Sequence, residues 1–336
     1  MRQRSIFPLL AFGAGLVMAQ HVTRSRNRFD LRSKNVLITG GSRGLGLALA
    51  REFAARGSHV TICARDPEEL LQATSQFEHV GKRVDSAACD ITKEADVARL
   101  MAELEGKNGP LDVLVNNAGR IEVGPIEAAT TQDFEKAMAT HFWGPLYLMR
   151  AAIPGMRRKG GGRIVNVSSI GGKIGVPHLI PYDSSKFALA GLSEAITSEI
   201  RKDNIFVTTA CPGLMRTGSP RNANFKGQHR KEYTWFTVSD SMPLVTIGAA
   251  RAARKIVDAC RVGRASLTIT PAAKLAVLAH ALAPNTTINV LALVNWLLPK
   301  ADGSDFQSHK GRDSQTWLTR SPITSLDQIA ANDLNQ

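Results

Sequence analysis

Tyr182 and Lys186, in the run Tyr182-Asp-Ser-Ser-Lys186, are the two residues of this 336-residue chain best spaced to move a proton together. Positions i and i+4 share one face of a helix, and the run from Ile180 to Lys202 has helical apolar spacing. A free phenol titrates at about pH 10. An ammonium one turn away stabilises the phenolate and lowers that value. Tyr182 can then give a proton to a substrate oxygen or take one from it. The competing structural reading is an ordinary helix tyrosine and a solvated lysine.

A second group of residues addresses a phosphate. Thr39-Gly40-Gly41-Ser42-Arg43-Gly44-Leu45-Gly46 follows an apolar run, Asn35–Thr39, and opens a run with helical spacing, Leu45–Arg56. A glycine string is weak evidence by itself, but a strand-to-helix junction is the context a dinucleotide pyrophosphate requires. Glycines let the backbone come close, and the helix N-terminus presents free N–H groups. Gly40, Ser42, Arg43, Gly44, Leu45 and Gly46 are therefore assigned to a cofactor. The next strand ends in Ala64-Arg65-Asp66. An acid at its tip would favour NAD(H) through the ribose 2′-hydroxyl. The tip here is Ala64, and Arg65 with Arg43 supplies two guanidinium groups suited to a 2′-phosphate, which points to NADP(H). Asp66 reads as the cap of the following helix.

Two further signals lie between these groups: Asn116-Asn117-Ala118-Gly119 at the end of a fourth strand, and Ser168-Ser169 at the end of a fifth. Four motifs in this order resemble the short-chain dehydrogenase/reductase superfamily in its common form, over about residues 34–265. The resemblance implies that Ser169, thirteen residues before Tyr182, holds the substrate oxygen. It implies that Lys186 also binds the nicotinamide ribose and that Asp90 reads the adenine amino group. Asn117, Ala118 and Gly119 would line the adenosine side, Pro212-Gly213 would lie beside the carboxamide, and Thr217 would touch the nicotinamide amide or a phosphate. One position departs from the pattern. Relatives carry Asn in a segment like VNFWG, where this chain has Thr140-His141-Phe142-Trp143-Gly144. His141 is expected to do the same work, its backbone holding a water and its ring relaying protons.

These residues need a scaffold, and the pattern supplies one. Strands are predicted at Asn35–Thr39, His59–Cys63, Val84–Ala88, Asp112–Val115, Arg163–Val167, Ile205–Ala210 and Leu267–Thr270. Helices are predicted at Leu45–Arg56, Pro67–Val80, Lys93–Gly106, Ile126–Lys159, Ile180–Lys202 and Ile247–Arg261. Short apolar strands alternating with amphipathic helices define an α/β class: a doubly wound (Rossmann) seven-stranded parallel sheet with helices on both faces. The catalytic domain is read as residues 34–270. Residues 271–300 are an apolar helical extension, either a packed pair or a lid or membrane contact. Residues 301–336 read as a polar, mobile tail.

Net charge is +13, and its densest basic stretch is residues 1–34, with seven Lys/Arg and one acid. This stretch surrounds the apolar segment Ile6–Val17, which is short for a membrane span of about 20 residues. A membrane anchor or interfacial helix, a cleaved signal peptide and a soluble packed helix all remain open. Basic charge beside an apolar segment suits an anionic membrane surface, and no nucleic-acid module is visible. The four cysteines show no metal-ligand spacing and read as reduced, buried thiols, which with the cofactor suggests the cytoplasm, with or without membrane attachment. Large apolar residues gather at Leu214, Met215, Phe225, Tyr233, Trp235, Phe236 and Met242. They are read either as packing of a long flap or as the wall of a pocket for a lipophilic carbonyl or alcohol. Assembly as a homodimer or homotetramer follows from the resemblance alone. A non-catalytic NADP-binding sensor or scaffold of the same fold is the second functional reading. A related sugar-nucleotide epimerase does not match the glycine spacing.

Overall fold

The computed structural model describes residues 28–78, 84–242, 245–301 and 306–336; the segment Ile6–Val17 lies outside them. Seven strands, β1 (Asn35–Thr39), β2 (His59–Ala64), β3 (Val84–Ala88), β4 (Val113–Asn116), β5 (Gly162–Val167), β6 (Ile205–Cys211) and β7 (Ser266–Thr268), form one sheet. Their order is β7-β6-β5-β4-β1-β2-β3 and all neighbours pair in parallel. The central strands β4, β5 and β6 are buried along their whole length, which is why they read as continuous apolar runs rather than alternating ones. The order in which strands are added reverses between β1 and β4. In an open parallel sheet that reversal leaves a crevice at the carboxyl ends of the strands, and the glycine loop and the Asn116–Gly119 turn both leave the sheet there.

Eleven helices are described: α1 (Gly44–Ala55), α2 (Pro67–Glu78), α3 (Glu94–Asn108), α4 (Thr131–Met138), α5 (Gly144–Arg158), α6 (Ile180–Ile200), α7 (His229–Ser241), α8 (Ala249–Arg261), α9 (Pro271–Leu282), α10 (Pro284–Trp296) and α11 (Ser325–Asp333). Leu47, Phe53, Leu70, Phe77 and Ile256 of α1, α2 and α8 pack on one face of the sheet. Leu100, Leu148, Met149, Met156 and Ile200 of α3, α5 and α6 pack on the other. No helix among the described residues is long and apolar enough to cross a membrane.

Three expectations need correction. The single helix predicted at Ile126–Lys159 is broken. A short 3₁₀ turn spans Ile126–Ala128, α4 starts afresh at Thr131, and a widened π turn at Ala139–Trp143 joins α4 to α5. Apolar periodicity cannot see the restart, which is set by the Asp133 carboxylate accepting the backbone N–H and the hydroxyl of Thr130, both at 2.8 Å. The flap after Pro212-Gly213 contains α7, whose residues are too polar to announce a helix. Residues 306–336 fold against the domain, where a mobile tail was expected. His309–Lys310 pairs antiparallel with Asn224–Phe225, which pairs in parallel with Glu122–Val123. Beyond it, α11 leads the chain back to the glycine loop.

Candidate active site

Tyr182 lies in the first turn of α6, and Lys186 follows one turn on, its Nζ 5.6 Å from the centre of the phenol ring. That ammonium is buried and donates to the Val167 carbonyl at 2.9 Å. The Ser169 hydroxyl, at the end of β5, hydrogen-bonds the Tyr182 phenol. It also accepts the Gly171 N–H at 3.1 Å, which fixes where its oxygen points. The three side chains expected to handle the substrate oxygen are therefore together.

Their electrostatics differ from the sequence expectation. Burial pushes the Tyr182 phenol well above its ordinary range, and the Ser169 hydrogen bond only partly opposes this. Burial also pulls Lys186 down to about 7. A buried lysine that itself resists charging cannot acidify its neighbour as a solvated one would. The chain's own groups thus keep Tyr182 as a neutral acid.

His141 sits in the π turn, fully buried, its ring edge-on to Tyr182 with centroids 5.5 Å apart. Its Nε2 accepts the Arg120 backbone N–H at 3.1 Å, which leaves the proton on Nδ1, 2.7 Å from Ser185 Oγ. Ser185 in turn donates to the Tyr182 carbonyl at 2.7 Å. Burial, with Lys186 and Arg120 nearby, holds the imidazole well below its usual titration range. Both ring nitrogens are committed, so the proton relay expected of the ring has no outlet through them. The contacts it makes tie α6 to the loop after β4.

The glycine loop has the shape its sequence suggests. Gly40 and Gly44 have φ of 62° and 59°, and a Cβ on Gly46 would stand 2.0 Å from the Gly40 carbonyl oxygen. Only residues without a side chain fit there. Asn117 staples the loop to β4, its Nδ2 donating to the carbonyls of Thr39 and Gly40 at 3.0 and 3.1 Å. The Thr39 hydroxyl accepts the N–H groups of Asn117 and Ala118, both at 3.0 Å, while Gly119 packs against the His141 ring. Ser42 Oγ and Arg43 Nη1 both bond the Glu69 carboxylate, at 3.1 and 2.7 Å. Of the two arginines assigned to a 2′-phosphate, Arg43 is thus already paired with a carboxylate. Arg65 is exposed at the tip of β2, and Asp66 caps α2 through the Glu68 N–H at 2.9 Å. Asp90 accepts the Thr92 N–H and hydroxyl at 3.1 and 2.8 Å. The Pro212 carbonyl accepts the Ile170 N–H at 2.8 Å, binding the turn after β6 to the segment after β5, and Gly213 packs against Thr270. Thr217 is buried and bonds the Ser219 N–H at 3.2 Å.

An apolar cavity of about 1120 Å³ opens beside α6, between Ile126, the Ile174–Ile180 loop, Phe187 and residues Ile288, Leu291 and Trp296 of α10. Its wall includes Asp183, the neighbour of Tyr182, but not Tyr182 itself. The flap aromatics read as packing or as a pocket wall, and three of them take the packing role. Phe225, Tyr233 and Phe236 pack on one another with Val123 and Ala223. Their role is satisfied locally, whereas the apolar residues of α9 and α10 have little else to cover.

Sequence reasoning missed several residues. Ser185 has no signal beyond its position between Tyr182 and Lys186. Asp183 accepts the Val176 N–H at 2.5 Å while burial raises its carboxyl to about 8. His178, at φ 64°, bonds the fully buried Glu232 through Nδ1 at 2.9 Å, and Glu232 also accepts Trp235 Nε1–H at 2.6 Å. That trio pins the Ile174–Ile180 loop to α7, across a sequence distance no motif spans. All four cysteines are free and buried, as expected.

The geometry agrees with comparisons to known proteins. The model of the short chain dehydrogenase family matches residues 34–226. Dehydrogenase/reductase SDR family member 7B of Danio rerio is 32% identical over 225 residues, covering 65% of this chain and 73% of that protein. A 3-ketodihydrosphingosine reductase of Mus musculus is 37% identical over 187 residues, 54% of this chain and 56% of that one. Among solved structures, L-sorbose reductase from Gluconobacter frateurii, complexed with NADPH and L-sorbose, superposes with a TM-score of 0.64 at 27% identity, covering 72% of this chain and 97% of that chain. With its parallel sheet, glycine loop and Ser169–Tyr182–Lys186 cluster, this chain belongs to the short chain dehydrogenase family of oxidoreductases.

Proposed function

We propose that this protein is an NADP(H)-dependent oxidoreductase that reduces a lipophilic ketone, or oxidises the corresponding secondary alcohol, with Tyr182 as acid and base. The observation that carries this reading is one arrangement: a neutral phenol bonded to Ser169, one turn from Lys186, on a helix that also walls a cavity of about 1120 Å³. The dinucleotide supplies or accepts the hydride. Gly40, Gly44, Leu45 and Gly46 would cradle its pyrophosphate, with Asn117, Ala118, Gly119 and Asp90 on the adenosine side. Pro212, Gly213 and Thr217 would flank the nicotinamide. The glycine cradle fits such a group, because a Cβ would fill it at Gly46. NADP(H) is favoured over NAD(H) because the tip of β2 is Ala64 followed by the exposed Arg65, with Arg43 in the glycine loop; a 2′-phosphate would have to displace the Glu69 carboxylate from Arg43.

Chemistry by the chain's own residues is then direct. Ser169 holds the substrate oxygen, Tyr182 gives it a proton as it gains charge, and Lys186 biases the phenol from one turn away. His141 positions Tyr182 through Ser185. A lipophilic substrate is favoured by the cavity wall. Residues 271–299 contain no Asp or Glu, and Leu275, Leu282, Leu293, Trp296 and Leu297 are each more than 60% exposed. We read this hairpin as meeting a membrane surface, from which such a substrate would enter, with the catalytic domain on the cytoplasmic side. The mouse relative's name, a sphingoid ketone reductase, supports that class, whereas the L-sorbose reductase shows that the fold also takes small polar substrates. Assembly as a homodimer or tetramer is read through the π turn that leads into α5, where Trp143 is exposed, and through α6, where Phe187 is exposed. The test is NADPH and NADH oxidation by purified protein against long-chain, sterol-like and small polar ketones. Turnover with NADPH on the long-chain set is expected. Preference for small polar ketones would remove the lipophilic reading, and preference for NADH the cofactor reading.

A further inference from the structure

The segment Ser325–Gln336 ends inside the crevice assigned to the dinucleotide. Leu47 N–H bonds the Arg43 carbonyl, so the first turn of α1 leaves the N–H groups of Gly44, Leu45 and Gly46 without a partner inside the helix. Such groups bind phosphate oxygens. The Gly44 N–H is taken by the Leu334 carbonyl at 2.9 Å. Gln336 lies directly over Gly44, where a Cβ would meet its amide nitrogen at 2.5 Å. Asn335 donates to the Ser42 carbonyl at 3.2 Å. At the other end of the crevice, the Asp327 carboxylate accepts the Gly218 N–H at 2.9 Å and the Thr217 N–H as well. The segment therefore touches both ends of the proposed site: the loop that would hold the phosphates and the turn that would flank the nicotinamide.

We propose that residues 325–336 form a strap that competes with the dinucleotide for its phosphate loop, so that binding requires the strap to lift from Gly44. This rests on the dinucleotide reading of the site. The strap's hold is of a kind that can be released. Its buried apolar anchors are Leu334, next to the loop, and Ala331, packed on Gly218. Besides the buried Asp327 carboxylate at Gly218 and Thr217, the contacts toward the glycine loop and its neighbours are polar and partly exposed: Arg51 with Asp333 at 3.0 Å, Gln76 with Asn335 at 2.6 Å, Asn222 with Gln336 at 2.6 Å and Arg221 with Asn332 at 3.2 Å. Exposed pairs of this type hold weakly. A carbonyl on a helix N-terminus is also a poorer ligand than a phosphate, because the macrodipole favours the anion. Apparent affinity for the dinucleotide falls by the fraction of molecules with the strap lifted. Loosening the strap must therefore tighten binding.

The test uses full-length protein and NADPH, read by fluorescence titration rather than turnover. Asn335→Ala and Leu334→Ser each remove one hold. Each is expected to lower the NADPH dissociation constant by about fivefold or more. Hydrogen exchange on the unmodified chain is the second readout: NADPH should protect residues 40–46 and increase exchange across 327–336. Unchanged or weaker binding in both variants, or protection of 327–336 by NADPH, would overturn the strap. If neither the wild type nor the variants bind NADPH or NADH at millimolar concentration, the dinucleotide reading falls and the strap with it.

Discussion

At the scale of the residue, the active-site chemistry turns on burial acting on two groups in opposite senses. The phenol of Tyr182 is pushed up and the ammonium of Lys186 is drawn down to about 7. A folded-state value lowered from the ordinary lysine range means that Lys186 is charged only below about pH 7. Its charge, and with it the bias on Tyr182, is lost as pH rises through that value. The rate of ketone reduction is therefore predicted to fall along an alkaline limb centred near Lys186's value, not near the phenol's. Arginine stays charged to about pH 12, so Lys186→Arg should move that limb up by more than two units in a pH profile of kcat/KM, at reduced amplitude. A limb left in place would mean that another group sets it. His141 enters as support: buried, neutral and bonded at both nitrogens, it holds the backbone of Tyr182 through Ser185.

At the scale of the element, the entry to α6 stores a cost that pH should reveal. Asp183 is buried beside Tyr182, with its carboxyl raised to about 8 by desolvation. In the unfolded chain it ionises at about 4. Between these values the folded state holds a proton that the unfolded chain releases, so stability is greatest in acid and declines as pH rises toward 8. Asp183→Asn keeps an acceptor for Val176 and removes the titration. Its melting temperature should change less between pH 5 and 8 than that of the wild type, and an equal change would contradict the assignment. The central strands were legible because buried parallel strands are largely apolar; Asn35–Thr39 matches the prediction to the residue, and so does the partly exposed edge strand Val84–Ala88, which carries Asp85 and Ser86. The glycine loop was legible because sterics leave few alternatives at Gly40 and Gly46. What stayed hidden depends on contacts between distant segments. The restart of α4 depends on a cap, α7 is a polar helix whose buried face meets the distant residues 318–334, and the His178–Glu232 bond spans 54 positions. The 2′-phosphate assignment was legible only in residue type, since nothing in the sequence pairs Arg43 with Glu69.

At the scale of the whole molecule, the Rossmann core carries two additions. One is the α9–α10 hairpin, which walls the apolar cavity; the other is the strap over the glycine loop. If the hairpin houses a substrate chain, Leu291→Asp should raise KM for a long-chain ketone by about tenfold or more while leaving a short ketone nearly unaffected, since burying an unpaired carboxylate against a chain is costly. Equal effects on both would mean that the cavity serves packing alone. The central claim, that Tyr182 is the proton donor of an NADPH-dependent reduction, is tested most directly by Tyr182→Phe, with turnover and NADPH affinity measured on one sample. The account predicts that kcat/KM falls by about a hundred- to ten-thousand-fold while the NADPH dissociation constant changes little. Undiminished turnover would contradict it. So would NADPH binding by a wild-type protein that reduces no ketone, which would favour a cofactor-binding sensor of the same fold.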